Sequence, residues 1–336
     1  MTQTALPRPL LTLTVATILA MTAPMTQAET TSTDIYAPGP QGVQAPLAGT
    51  LEAPSHSTAT VLIVPGSGPT DRNGNNPLGV RASSYALLAD GLAAKGIASV
   101  RIDKRGMFGS KAAVPDPNHV TVDDYVADTL SWIDTIREKT GVPCVWLLGH
   151  SEGGLMVLAT AARHPEKVCG LILVATAGRP LGEVMSEQLH ANAANGELAD
   201  IGDTAIQTLN AGGHIDASVL PAPIRPLFDD RVQGFLRSEF ALDPAKLIAQ
   251  VRVPTLIVQG ERDLQVSVVD ARRLAAAKPD ATLALLADTN HVLKPVTTER
   301  RAENVAAYTN PSLPLASDVV PTIARFIESA TLRPSK

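Results

Sequence analysis

Apolar residues along this chain fall into two alternating patterns. Short unbroken runs have the length and composition of strands buried on both faces: Ala59–Val64, Ile97–Ile102, Val145–Leu148, Val168–Ala175, Pro254–Gln259 and Ala281–Ala287. Between them, apolar residues recur every three or four positions, which predicts helices. Ser83–Lys95 carries Tyr85, Leu88 and Leu92 on one face and stops at Gly96. A second helix opens at Thr121, with Asp124 three residues on as a capping partner, and runs through Val126, Leu130, Ile133 and Ile136 to Gly141. Leu155–Ala162, Val266–Ala277 and Ser317–Ser329 predict three more, and Leu47–Ala53 an edge strand. Continuous apolar strands alternating with helices call for an α/β fold: a mostly parallel central sheet covered by helices on both faces.

The alternation stops at Gly178. From Arg179 to about Gln250 the pattern is helical only, broken by Gly212-Gly213 and by Pro221, Pro223 and Pro226. An insertion here sits at the C-terminal edge of the sheet, where it caps whatever lies there. The expected organisation is a core at 47–178, a helical cap at 179–250 and the rest of the core at 251–336. Residues 1–28 read as a cleaved export signal: Arg8 is the positive region, Leu10–Ala23 the apolar region and Thr26-Gln27-Ala28 the small-residue cleavage site. Pro24 interrupts a run already too short to span a bilayer, so no membrane span is expected after cleavage, and the protein is expected to be periplasmic or secreted. Residues 29–46, with Pro38, Gly39, Pro40 and Gly42, read as a linker.

Composition narrows the picture only a little. Among 336 residues, 45% are hydrophobic and 18% charged, which excludes a disordered chain. A net charge of -5 and 3% aromatic residues give no footprint for nucleic acid.

The chemistry lies where one strand turns into one helix. Val145–Leu148 ends in Gly149-His150-Ser151-Glu152-Gly153, a G-x-S-x-G turn that holds a serine out at the sheet edge as a nucleophile. A serine hydroxyl needs a base in reach and an acid to orient that base. Of seven histidines, only His291 follows a strand downstream of Ser151. His56, His119 and His150 precede the serine, His164 ends the elbow helix, and His190 and His214 fall in the insertion. The acid should follow the preceding strand, where Gly260-Glu261-Arg262-Asp263 offers Asp263, with Glu261 in reserve. Two backbone donors are needed for the oxyanion. The N–H of Glu152 supplies one, and the loop Pro65-Gly66-Ser67-Gly68 supplies the other, placed at Ser67.

These motifs, with the PGSGPTDRNG loop, the Asp103-Lys104-Arg105-Gly106 turn and Asn290-His291, resemble the α/β-hydrolase superfamily. Within it the chain looks like the bacterial carboxylesterase and serine-aminopeptidase-like branch. The resemblance implies an α/β-hydrolase fold over residues 47 to 330 and a structural role for the Asp103 turn. The expected activity is hydrolysis of a small acyl ester through an acyl-enzyme, with no cofactor and no metal. An aminopeptidase would need an acidic cluster, for which Glu183, Glu187, Asp229, Asp230 and Glu239 are available. A thioesterase of the same fold is a further alternative, and a non-catalytic binding protein on a hydrolase fold is another, against which the complete triad argues. The sequence names no protein partner.

Cys144 and Cys169 begin two strands expected to be parallel neighbours, ~4.8 Å apart, a distance that permits a disulfide. Whether both side chains share a face is left open by the pattern.

Overall fold

The computed structural model describes residues 1–2, 29–191 and 193–331. Nearly all of the expected signal segment lies outside the described residues. The strands and helices expected from the apolar pattern are all present. In the first part of the chain they are β1 (Thr30–Ala37), β2 (Leu47–Pro54), β3 (Ala59–Val64), a short ribbon β4 (Asn75–Asn76) and β5 (Val80–Arg81), α1 (Ser84–Ala93), β6 (Ile97–Ile102), α2 (Val122–Thr140), β7 (Val145–His150), α3 (Glu152–Arg163) and β8 (Val168–Val174). The insertion holds α4 (Leu181–His190), α5 (Glu197–Asn210), α6 (Asp230–Phe240) and α7 (Pro244–Ile248). The core resumes with β9 (Thr255–Gly260), α8 (Val268–Ala277), β10 (Thr282–Leu286), α9 (Arg301–Ala307) and α10 (Val319–Thr331).

One eight-stranded sheet runs in the order β1-β2-β6-β3-β7-β8-β9-β10. From β6 to β10 along this order every neighbouring pair is parallel, and the β1–β2 and β2–β6 pairs are antiparallel. Each central strand divides its side chains between two cores. On β3, Leu62 and Val64 face the side covered by α2, α3 and α8, while Val61 and Ile63 face the side covered by α1 and α10. Burial on both faces is why these strands are unbroken apolar runs; each such side chain contributes about 1.5–3 kcal/mol by leaving water. At α2, Thr121 accepts the Asp124 N–H and the Asp124 carboxylate returns a bond to Thr121 N, as the capping pattern predicts. Gly141 closes that helix at φ 74°.

Two boundaries are corrected. The linker expected at 29–46 contains β1, which pairs with the full length of β2, so Leu47–Pro54 is an inner strand rather than an edge. The reason is exposure. In TTSTDIYA only Ile35 and Ala37 are buried, and an edge strand held by backbone bonds needs no apolar run. At the other boundary, Ile248 of α7 joins the core side of the sheet, so the cap's own packing ends with α6. That cap has a separate core, with Leu189, Ile206, Leu209, Phe228, Leu236 and Phe240.

Cys144 and Cys169 form a disulfide with Cα atoms 5.1 Å apart, at a register irregularity between β7 and β8. The sequence left the facing of these side chains open, and the local pairing brings them together. Among the described residues no helix is long and apolar enough to cross a membrane.

Candidate active site

The C-terminal ends of β3, β7, β9 and β10 converge on one edge of the sheet, and the cap lies over it. Ser151 follows β7 directly, with φ 54° and ψ -122°. This is positive φ for a non-glycine residue, a conformation that costs of order 1–3 kcal/mol and persists only where its surroundings hold it. They do so here through close backbone packing. A Cβ on Gly149 would lie 2.3 Å from the Gly153 carbonyl oxygen, and one on Gly153 would lie 2.4 Å from the carbonyl oxygens of Val64 and Pro65. Only glycine permits α3 to start this close to β7 and β3. The Ser151 N–H is held by the Val174 carbonyl at 2.9 Å.

The structure brings Asp263 and His291 together. His291 Nδ1 donates to Asp263 Oδ2 at 2.8 Å, with both side chains buried. Asp263 also accepts from Gln259 Nε2 at 3.1 Å, Gln265 N–H at 2.7 Å and Val266 N–H at 3.0 Å. Burial alone would raise the Asp263 carboxyl, but His291 and the two backbone donors outweigh it and hold it below the usual carboxylate range. Asp263 is therefore ionised, acceptor-only, and fixes the tautomer in which His291 Nε2 carries the free lone pair. Glu261 is exposed and does not reach His291; its N–H bonds back to Leu286.

Ser151, Ser67 and His291 line one cavity at this edge. Ser67 and Glu152 flank the serine from the β3 loop and the start of α3, and among the described residues neither N–H has a backbone acceptor. Two residues outside the expected set tie these parts together. Lys104, from the turn after β6, donates to the Gly66 carbonyl at 2.7 Å and pairs with Glu152 at 3.2 Å. His150 Nε2 donates to the His291 carbonyl oxygen at 2.8 Å, so its Nδ1 accepts from the Tyr85 hydroxyl at 2.9 Å. Tyr85 in turn accepts the Gly66 N–H at 3.1 Å. A continuous line of bonds thus joins the loop after β3 to the loop that carries His291. Burial pushes the His150 pKa down to about 3, with the neighbouring His291 adding to it, and the ring is neutral in this line. The sequence carried one usable signal for it: a histidine inside the elbow, opposite a tyrosine on the core face of α1. The neighbours of Lys104 are spoken for in the same way: Asp103 holds Arg72 at 2.7 Å and Arg105 holds Asp128 at 2.6 Å, as a structural turn requires.

Beneath the cap, a cavity of about 460 Å³ opens onto Ser151 and is walled by Leu155, Leu181, Val184, Leu227, Phe235 and Leu236. Of the five acids available for an amine site, only Glu239 lines it. Glu239 is buried with neither carboxyl oxygen hydrogen-bonded among the described residues, and burial followed by the nearby Glu152 raises its pKa well above the usual range. The others are engaged elsewhere: Glu187 with Arg179, Asp229 with Arg231, Asp230 near His214 and Glu183 near Arg273. One group with metal-ligand spacing, His190, Asp200 and Asp203, lies mostly exposed on the cap and lines neither cavity.

Sheet order, elbow, and an acid–histidine pair on successive loops give this chain an α/β-hydrolase fold. Its residues 78–221 match the profile of a family described as serine aminopeptidase, S33. It is similar to esterase EstD of Thermotoga maritima, 29% identical over 247 residues that cover 69% of this chain and 54% of that protein. A pimeloyl-[acyl-carrier protein] methyl ester esterase of Chromobacterium violaceum is 33% identical over 149 residues, 41% of this chain and 59% of that one. The chain thus spans about half the length of EstD. Among solved structures, Est1E from Butyrivibrio proteoclasticus superposes with a TM-score of 0.54 at 14% identity, over 89% of this chain and 99% of that one. The enol-lactonase from Burkholderia xenovorans gives 0.53 at 22% identity, over 88% and 100%. These likenesses establish the shared fold.

Proposed function

We propose that this chain is an exported serine hydrolase that cleaves carboxylic esters through an acyl-enzyme on Ser151. His291 Nε2 takes the Ser151 proton as the hydroxyl attacks the ester carbonyl. The N–H groups of Ser67 and Glu152 stabilise the oxyanion. The imidazolium, steadied by Asp263, returns the proton to the departing alcohol oxygen. Water then enters, His291 takes its proton, and the acid leaves.

The observation that carries the reading is the Asp263–His291 pair. An ionised carboxylate with four donors holds one imidazole, on the loop facing a serine in strained geometry. Esters are favoured over amine-bearing peptides because the cavity is apolar and its Glu239, shifted towards the neutral acid, makes a poor partner for an ammonium group. The esterase relatives support the same substrate class. Export is supported by the N-terminal pattern and by the disulfide, which belongs in an oxidising compartment.

A fluorophosphonate probe should label Ser151 in the wild type and not in Ser151→Ala. Short p-nitrophenyl esters should turn over faster than amino-acid anilides. Faster anilide cleavage would replace the esterase reading with an aminopeptidase, and an unlabelled serine would leave a binding protein. Mass determination of the mature chain from the periplasm or medium tests export.

A further inference from the structure

Two cavities meet at Ser151, and they differ in size and chemistry. The larger, about 460 Å³, is the apolar space under the cap. The smaller, about 130 Å³, is lined by Thr70, Asn76, Ser84, Gln265, His291 and Tyr308. Ser67, Ser151 and Gln265 line both, whereas His291 lines the smaller and not the larger.

Acyl transfer distinguishes the two. The bond that breaks joins the carbonyl carbon to the ester oxygen, and that oxygen leaves with the proton held on His291. The departing group must lie within hydrogen-bond reach of the imidazole, ~2.6–3.2 Å between heavy atoms. On the tetrahedral carbon, Ser151 Oγ, the oxyanion and the leaving oxygen take three positions. The acyl chain takes the fourth and points away from His291. The cavity lined by the base receives the alcohol, and the other receives the acid.

We propose that the small polar cavity is the alcohol site, so that the preferred substrates are esters of a small polar alcohol with a long hydrophobic acid. This rests on the hydrolase reading above. Pockets that hold a drug-sized ligand run to about 300–1,000 Å³. The larger cavity falls within that range and the smaller does not. The small cavity also holds a free donor. Thr70 is committed to the Ser67 carbonyl at 2.9 Å and Ser84 to the Val292 carbonyl at 2.6 Å. Tyr308 accepts from Gln265 Nε2 at 3.1 Å, and among the described residues its own proton meets no acceptor. Burial raises the Tyr308 pKa to about 12, which keeps that proton in place for an alcohol oxygen.

Two ester series test this on the purified mature protein: methyl esters of acids from acetic to dodecanoic, and octanoate esters of methanol, glycol, butanol and octanol. kcat/KM should rise as the acid lengthens, and fall about ten-fold or more from methyl to octyl octanoate. Tyr308→Ala, which opens the small cavity, should shrink that methyl-to-octyl ratio about three-fold or more. Tyr308→Phe, which keeps the volume, should lower the rate on the glycol ester relative to the butyl ester. Ratios within one variant cancel any loss of folded protein. Octyl esters cleaved faster than methyl esters, or alcohol ratios unmoved by both variants, would overturn the alcohol assignment. Labelling of Ser151 by a fluorophosphonate in the same samples separates the two failures. A labelled enzyme with reversed preference sinks only this proposal, and an unlabelled one sinks the hydrolase reading with it.

Discussion

In the proposed triad, Ser151, His291 and Asp263 would act through three different physical devices: a strained turn, a free lone pair and an ionised acceptor. Members of such a unit fail together. Ser151→Ala and His291→Ala should each abolish ester turnover, and the double variant should be scarcely slower than either. Strictly additive losses in kcat would show that the two do not act in one step. Asp263→Asn should cut kcat by about four orders of magnitude by favouring the wrong imidazole tautomer, while exposed Glu261→Gln should not. The reverse result would move the acid to Glu261. His150 has a separate signature. Its ordinary pKa of 6.5 falls to about 3 in the fold, so between those values the unfolded chain binds a proton that the folded chain refuses. Stability from this residue is therefore complete above pH 6.5 and drains as pH falls towards 3. Thermal midpoints measured across that window should fall more steeply for wild type than for His150→Asn; parallel curves would show that His150 is not the group responsible.

The cap walls the larger cavity, so under the proposed function it is the element expected to set substrate size. Its helices α4 to α6 carry their own apolar core and present a second apolar face to the cavity. Leu227 is 44% exposed and stands in the cavity wall. Leu227→Trp adds bulk there and should slow octanoate esters about ten-fold more than acetate esters, since a misfit in an apolar pocket costs about 1–3 kcal/mol. An equal slowing of both series would mean that the acyl chain does not pass this residue. The elements themselves were largely legible because both-face burial makes central strands unbroken apolar runs. The edge strand β1 was not, because backbone pairing holds it while its side chains stay polar and exposed. Helix α9 was missed for a similar reason: of RAENVAA only Asn304 and Ala307 are buried, too few to print a period.

At the scale of the molecule, the disulfide and the site lie at opposite ends of the same strands. Cys144 precedes β7 and Ser151 follows it. Replacing both cysteines by alanine opens a span of 25 positions and should cost roughly 3 kcal/mol of stability. Activity at room temperature should survive. Thiol titration of the unreduced, denatured wild type should find no free cysteine, and two free thiols would remove the bridge. Sequence by itself determined the α/β class, the serine on its turn, and the loops that carry His291 and Asp263, since these depend on local pattern and on connections between consecutive elements. It also narrowed the acid to two residues on one turn, Glu261 and Asp263. Tertiary structure decided what depends on distance between segments remote in sequence. It put Asp263, and not Glu261, 2.8 Å from His291, and brought Tyr85, Lys104 and His150 into the bonds around the loops after β3 and β10. It turned Cys144 and Cys169 towards each other, and split the space around Ser151 into a large apolar and a small polar cavity. Periodicity reports which face of an element is buried; it carries no information on which buried face meets which.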